Sequence, residues 1–338
     1  MAANRSHVDA AIVTTLRNVG APLDSFIAWH LNCGFSRLFL FFDDPADPDL
    51  PRAAAHPAIT VIPHDAALRR AWTHLPEYRH YGDFIDREVM ARQVLNSVVA
   101  MEIARSQGLA WLVHIDADEL FHSPEQACAA HFAWADTQKV DTIKYLNYEA
   151  VPEKIEIQDP FREVDLFKIP PALKPGPASD AGRKLLDATP QLQPNRFHFY
   201  SNGKSAVRLA APGMRPRSVH TFDNPLAPAQ PLLCSMPSIL HYACCGFENF
   251  WDKYRRLGGF TDKWFGRKDI RGAIGPLHLD ARDAVAGGDR ASALEFYRRR
   301  IAIEDSGRCE ELIRHGVLTR FPQPRHTLGR LAATAAAP

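Results

Sequence analysis

The chain has 338 residues, with 40 Lys and Arg against 39 Asp and Glu for a net charge of +1. That balance gives no ground for generic nucleic-acid binding. No run of about 18 apolar residues supplies a transmembrane helix, and the polar N-terminus carries no signal-peptide pattern. Hydrophobic residues make up 46% of the chain, enough to bury a sizeable core in one large domain or two small ones. The six cysteines, Cys33, Cys128, Cys234, Cys244, Cys245 and Cys309, show no CxxC or zinc spacing. They point to a reduced, cytoplasmic setting, although a secretory-pathway or membrane-associated protein lacking its anchor, with three bridges, is an alternative.

In chain order, residues 11–16 read as a first strand and 23–33 as a helix that Gly34 stops. Residues 38–42 and 59–62 are two further apolar strands, the first of them ending in Asp43 and Asp44. Strand, helix and strand at this spacing predict a βαβ unit and a parallel sheet. A long helix is predicted over 85–106, with Leu95, Val98, Val99 and Ile103 as its apolar stripe and Gly108 as its end. Residues 111–115 are a buried strand, and 142–146 another. The proline-rich stretch 170–194 reads as a loop or lid. Residues 197–209 read as a hairpin about Asn202-Gly203, 247–257 as an aromatic helix and 290–302 as a last helix. The Ala-rich end of the chain reads as a frayed tail.

Residues 116–120, Asp-Ala-Asp-Glu-Leu, stand at the mouth of the strand 111–115. Buried charge is costly unless it is paired or holds a metal. In an extended backbone Asp116 and Asp118 would point one way and Glu119 the other. Two hard oxygen donors at the carboxyl edge of a parallel sheet suit Mg²⁺ or Mn²⁺, and such an ion neutralises a departing diphosphate; a solvated acidic turn is the other reading. No Walker lysine loop, no GxGxxG after the first strand and no protein-kinase motif set occurs.

Asp-Ala-Asp-Glu-Leu after Trp-Leu-Val-His-Ile resembles the DxD motif of GT-A nucleotide-sugar glycosyltransferases. Arg17, Asn18, Trp29 and Gly34, then residues 115–120, then His241-Tyr242 resemble the ordered motifs of glycosyltransferase family 92 and related family-2-like enzymes. The helix bearing Arg92, Gln93 and Asn96 fits that pattern, as does the run from Asn202 to Arg208 leading to Val219-His220. The likeness covers residues 11–258, with Val19 where the family usually has a glutamate.

The resemblance implies an α/β, GT-A-like fold: a Rossmann-like, mostly parallel sheet flanked by helices. The catalytic domain would span 1–258, with 170–195 as the lid, a helical extension over 259–330 and a disordered tail at 331–338. Asp118 would hold the metal, with Asp116 on the ribose or on the metal through water, and His220 or His241 completing the site. Arg17, Asp43, Arg92 and Gln93 would face the nucleotide, and Lys204 and Arg208 would clamp the diphosphate. Glu149 or its rival Glu248 would be the base. Each of these also has a plain reading as a solvated or core side chain. Trp251, Tyr254, Trp264 and Phe265 read as core or as a sugar-stacking set. The implied reaction is inverting transfer of a sugar from a nucleotide sugar, UDP-linked, to a hydroxyl of a glycan, protein or lipid. A non-catalytic nucleotide-sugar or glycan-binding protein and a metal-dependent hydrolase or phosphotransferase are the alternatives.

Overall fold

The structure, a computed structural model, describes residues 8–124, 127–173, 179–193, 197, 201–228, 230–258, 260, 263–265, 268–269 and 277–335. The chain divides into two compact units: Met1–Leu146 with Asn202–Ile239, and Asn147–Ser201 with Leu240–Pro338. The boundary expected near residue 258 falls inside the second unit.

The first unit is a mixed α/β sheet. Strand β1 (Ala10–Leu16) is buried along its whole length, the pattern of a strand covered on both faces. It pairs in parallel with β2 (Arg37–Phe42), and β2 pairs in parallel with β3 (Ile59–Pro63). On its other side β1 pairs in parallel with β4 (Trp111–His114). The crossovers hold α1 (Pro22–Asn32), α2 (Leu50–Ala54), α3 (Ala66–Thr73), α4 (Tyr78–Tyr81) and α5 (Val89–Ser106). Pro22 opens α1 at a position where a missing N–H costs nothing. The Asp65 carboxylate caps α3 on the amides of Ala67 and Leu68. Every parallel strand therefore ends at the same sheet edge, where open α/β sheets bind ligands.

Beyond β4 the chain adds β5 (Glu119–His122), β6 (Thr142–Ala150), β7 (Leu166–Lys168) and β8 (Lys204–Arg208). Strand β8 lies antiparallel to β4 and to the start of β6. Ser205 faces His114 on one side and Lys144 on the other, so these three side chains share a face. A short antiparallel pair, β9 (Arg215–Ser218) and β10 (Thr221–Asp223), follows.

The second unit holds two apolar clusters. In one, Phe250 of the helix Phe247–Leu257 packs ring to ring with Tyr254, Phe296 and Tyr297. Trp251 and Tyr254 belong to that core, so of the proposed sugar-stacking set these two are packing residues; the side chains of Trp264 and its strand lie outside the described residues. The other cluster gathers Leu192, Ile303, Leu312 and Leu318.

Several expectations are corrected. The stretch 170–194 is not all loop: Ser179 caps a helix over Asp180–Asp187, and Leu185 and Leu186 pack against the second cluster, while 174–178 and 194–196 lie outside the described residues. The hairpin expected over 197–209 leaves residues 198–200 outside the description, and its second limb, β8, pairs with β4 and β6. The disordered tail expected at 331–338 is helical to its last described residue, in Gln323–Ala335, anchored by a buried Leu328. The cysteines are free. Among the described residues no helix is long and apolar enough to cross a membrane.

Candidate functional site

The acidic motif is a turn, not an extended segment. The Glu119 amide donates to the Asp116 carbonyl at 3.0 Å, and the Asp116 amide donates to Glu119 Oε2 at 2.7 Å. The expectation that Glu119 faces away from Asp116 fails for this reason: the chain reverses at Ala117-Asp118, and Glu119 folds back onto the residue that starts the turn. Asp118 sits at the half-exposed apex.

Lys204, the first residue of β8, enters this turn from the neighbouring strand. Its Nζ is 2.5 Å from Asp116 Oδ2 and 3.5 Å from Glu119 Oε2, and its side chain is 1% exposed. Gln93, on the first turns of α5, donates from Nε2 to Asp116 Oδ1 at 2.6 Å. Asp116 is thus held at both oxygens, yet keeps 30% of its side chain exposed. Burial alone would raise its carboxyl; the Lys204 charge, with the neighbouring histidines and the Lys204 hydrogen bond, outweighs that and holds it well below the usual carboxylate range. Burial pushes Glu119 up to about 8, with Lys204 pulling the other way. Burial opposes the Lys204 charge, and the carboxylates of Asp116 and Glu119 overcome it and raise its pKa.

A second construction stands beside the first. The turn between β9 and β10 is fastened to the sheet by the row His114, Ser205 and Lys144. His114 Nδ1 is 2.7 Å from the Val219 carbonyl; Ser205 Oγ and Lys144 Nζ donate to the His220 carbonyl at 2.7 and 2.8 Å. The His220 ring returns the contact, with Nδ1 2.9 Å from the Gly203 carbonyl. A carbonyl only accepts, so Nδ1 carries the proton in both rings. Burial, with the Lys204 charge next, lowers His220 to about 3 and His114 to about 4, so both are neutral at pH 7. Their acceptor lone pairs are therefore on Nε2, and that of His114 is buried with no hydrogen-bond partner among the described residues.

The donors fit a hard divalent ion of the Mg²⁺ or Mn²⁺ kind. Asp118 supplies a carboxylate within electrostatic reach of Lys204 and Glu119. His220 is a neutral imidazole whose far nitrogen is fixed on a backbone carbonyl, the support that ligand histidines typically have. Among the described residues no three His, Cys, Asp or Glu side chains converge on one point. An ion held at this turn would therefore take most of its ligands from substrate phosphate and water.

The other anticipated residues have definite places. Arg17 is 53% exposed at the end of β1, 3.6 Å from Asp44. Arg92 and Asp43 are joined to each other (Nε–Oδ1 2.5 Å, Nη2–Oδ2 2.6 Å), which fills the Asp43 carboxylate. Arg208 is a structural staple, not a diphosphate clamp: it pairs with Asp136, donates to the Val140 carbonyl and lies 4.7 Å over the Trp111 ring. Lys204 is likewise no clamp on solvent-borne phosphate, since Asp116 and Glu119 enclose it. His241 is buried in the second unit. Glu149 is buried there against Lys168 Nζ at 2.6 Å, and the exposed Glu248 pairs with Arg290, so neither candidate base presents an unpaired carboxylate. Sequence reasoning missed His114, Lys144 and Ser205; the one signal was polar residues within otherwise apolar strands.

The chain is similar to two glycosyltransferase-like proteins of Arabidopsis thaliana. Identity is 27% and 26% over 332 residues, which is 92% of this chain and 70% and 62% of theirs. The second relative is therefore less than two thirds spanned. No family model matches the chain. Among solved structures, mouse xyloside xylosyltransferase 1 overlaps 43% of this chain and 53% of its own at 17% identity and a TM-score of 0.25. Core-mannan synthase A of Aspergillus fumigatus, in its Mn/GDP form, overlaps 59% and 51% at 12% identity and a TM-score of 0.23. Overlaps of that size carry no argument about the fold.

Proposed function

We propose that this chain is a GT-A-like glycosyltransferase, moving a sugar from a nucleotide sugar, UDP-linked, to a hydroxyl of a glycan, protein or lipid acceptor with inversion. The observation that carries the reading is the acidic turn at the carboxyl edge of the parallel strands, where Asp116 is bonded to the buried Lys204 and His220 lies within electrostatic reach of both. The likeness to the two plant glycosyltransferase-like proteins supports the class, and the ordered motifs resembling family 92 support the donor type.

A bound Mn²⁺ or Mg²⁺ would supply the positive charge that stabilises a departing diphosphate. Asp118 and His220 would hold that ion. Asp116 accepts hydrogen bonds from the nucleotide through its exposed edge, and Arg17 offers a cation at the same sheet edge. The histidine stays neutral through the physiological range, as a ligand must.

Thermal-shift measurements with UDP, GDP and CMP, each with Mn²⁺, test the reading, together with release of free UDP from UDP-sugars. Stabilisation by UDP and Mn²⁺ together, lost in Asp118→Asn, is the expected result; full activity of that variant would overturn it. One observation favours a second reading, a non-catalytic nucleotide-sugar-binding protein: the two candidate bases, Glu149 and Glu248, are both ion-paired. UDP binding without any release of free UDP would select it.

A further inference from the structure

Cys33 and Cys128 meet where two helices join end to end. Cys33 caps the C-terminus of α1, and Cys128 is the first residue of α6 (Cys128–Thr137). A helix leaves its last carbonyls and its first amides without partners of its own. Here one satisfies the other: the Cys128 amide donates to the Cys33 carbonyl at 3.0 Å. A backbone bond of that kind sets the two Cα atoms about 5–6.5 Å apart, inside the range of about 4.4–6.8 Å that a disulfide spans. The sulfurs share one neighbourhood as well. Cys33 is half-buried, and its thiol donates to the Phe121 carbonyl at 3.8 Å. Cys128 is fully buried; burial raises its thiol first, and the Cys33 sulfur within electrostatic reach raises it further. Burial pushes Cys33 up to about 12. Both are therefore protonated thiols at pH 7, and of the two Cys33 is the one that solvent reaches.

We propose that Cys33 and Cys128 are a disulfide site, closed by exchange with a small disulfide of the glutathione class. Cys33 loses its proton and its sulfur attacks one sulfur of glutathione disulfide. One glutathione leaves as a thiolate and takes up that proton, and the other stays on Cys33. The Cys128 sulfur, deprotonated in turn, displaces the second glutathione. Two protein thiols are thereby oxidised to one disulfide, and one glutathione disulfide is reduced to two glutathiones. The exchange is slow in the folded chain, since the thiolate is the attacking species. The bridge ties α1 to α6 and closes the loop that carries β2, β3, β4 and β5, long enough to constrain the unfolded chain strongly. Bridging takes the Cys33 proton from the Phe121 carbonyl, which keeps its bond from Trp29 Nε1 at 2.8 Å; the Phe121 amide keeps His30 Nε2 at 3.1 Å. Strand β5, and the acidic turn that leads into it, thus stays anchored on α1. The site goes beyond the glycosyl-transfer reading and does not depend on it.

The test uses the full chain, purified in dithiothreitol and then moved into glutathione disulfide. One portion is sampled over hours to days. A second is refolded from urea in the same buffer, which opens Cys128 to the oxidant. Remaining thiols are blocked with N-ethylmaleimide in denaturant, and the products are read by mass spectrometry. Bridged protein takes up two fewer maleimides than the six of the reduced chain. Digestion gives a cross-linked peptide pair holding residues 33 and 128, which dithiothreitol separates. The melting temperature of the bridged chain is about 5 °C above that of the reduced one, and Cys33→Ser shows neither the cross-link nor the rise. The parent chain alone decides the question where Cys33→Ser does not fold. Uptake of six maleimides in both portions would overturn the proposal. So would glutathione left unresolved on Cys33, or a bridge joining either residue to Cys234, Cys244, Cys245 or Cys309.

Discussion

Arg92 reaches from the start of α5 to take both carboxylate oxygens of Asp43 at the end of β2, and its Nη1 donates to the Ile85 carbonyl at 2.6 Å. One side chain thereby ties the helix that carries Gln93 to the strand edge that carries Asp43. A lysine keeps the charge but not the two-pronged geometry. Arg92→Lys should lower stability by about 1.5–3 kcal/mol, the worth of a hydrogen bond to a charged group, read as a lower denaturant midpoint. An unchanged midpoint would mean that the fork carries no weight.

Among the described residues, Lys168 and Glu149 form the most deeply buried ion pair of the second unit. Removing the lysine takes from the buried carboxylate the ammonium bonded to it, at a cost of about 3–5 kcal/mol. Lys168→Met should therefore be strongly destabilising in urea, and Lys168→Met/Glu149→Leu should recover most of the loss. If Glu149 served instead as the base, the double variant would be stable and without turnover while Lys168→Met retained it.

Gly203→Ala places a Cβ 1.9 Å from the Tyr145 carbonyl oxygen at a φ of +60°. The clash is with backbone, which has nowhere to go, so a loss of about 3 kcal/mol or more is expected. The Gly203 carbonyl itself meets the His220 ring, so on the proposed reading any protein that survives should have weakened Mn²⁺ binding. Soluble protein with the parent melting temperature and Mn²⁺ affinity would contradict this.

Acid should destabilise the protein early. His30 and His220 are lowered to about 3 and His114 and His131 to about 4 from an ordinary 6.5, burial being the first cause in each. Between those limits the unfolded chain binds more protons than the folded one, so stability rises with pH and is lost as pH falls below 6.5. His278, lowered to about 3 by burial, adds to this, while Glu119, raised from 4.5 to about 8, runs oppositely and offsets one of these five histidines between pH 4.5 and 6.5. The urea midpoint should fall steadily from pH 6.5 to 4.5, and His131→Phe should flatten that fall. A midpoint independent of pH over this range would show that the buried rings do not govern it.

The sheet was legible in the sequence because its strands are short apolar runs: β1, β2, β3 and β4 all lie within a residue or so of where the pattern puts them. The aromatic helix Phe247–Leu257 was legible for the same reason, its stripe being regular. The acidic motif drew attention, but its shape did not show, since strand alternation and a reverse turn can share the same letters. Lys204 was visible as a cation near the site and not as a buried one, because burial depends on β8 lying between β4 and β6, a pairing that no local pattern encodes. His114, Lys144 and Ser205 stayed hidden because their common row exists only across three strands. The helix Asp180–Asp187 was masked by surrounding prolines, although Ser179 is a standard cap.

The His220 ring and carbonyl take their places from partners at positions 203, 144 and 205, while its amide donates to the nearby Ser218 Oγ and His114 holds the neighbouring Val219 carbonyl. Its coordinates are thus a property of the assembled sheet, and a peptide or transplanted loop containing residues 218–221 would not carry them. If His220 holds the ion as proposed, ion binding should vanish in the same cooperative step as the sheet itself, with no partly folded form that still binds.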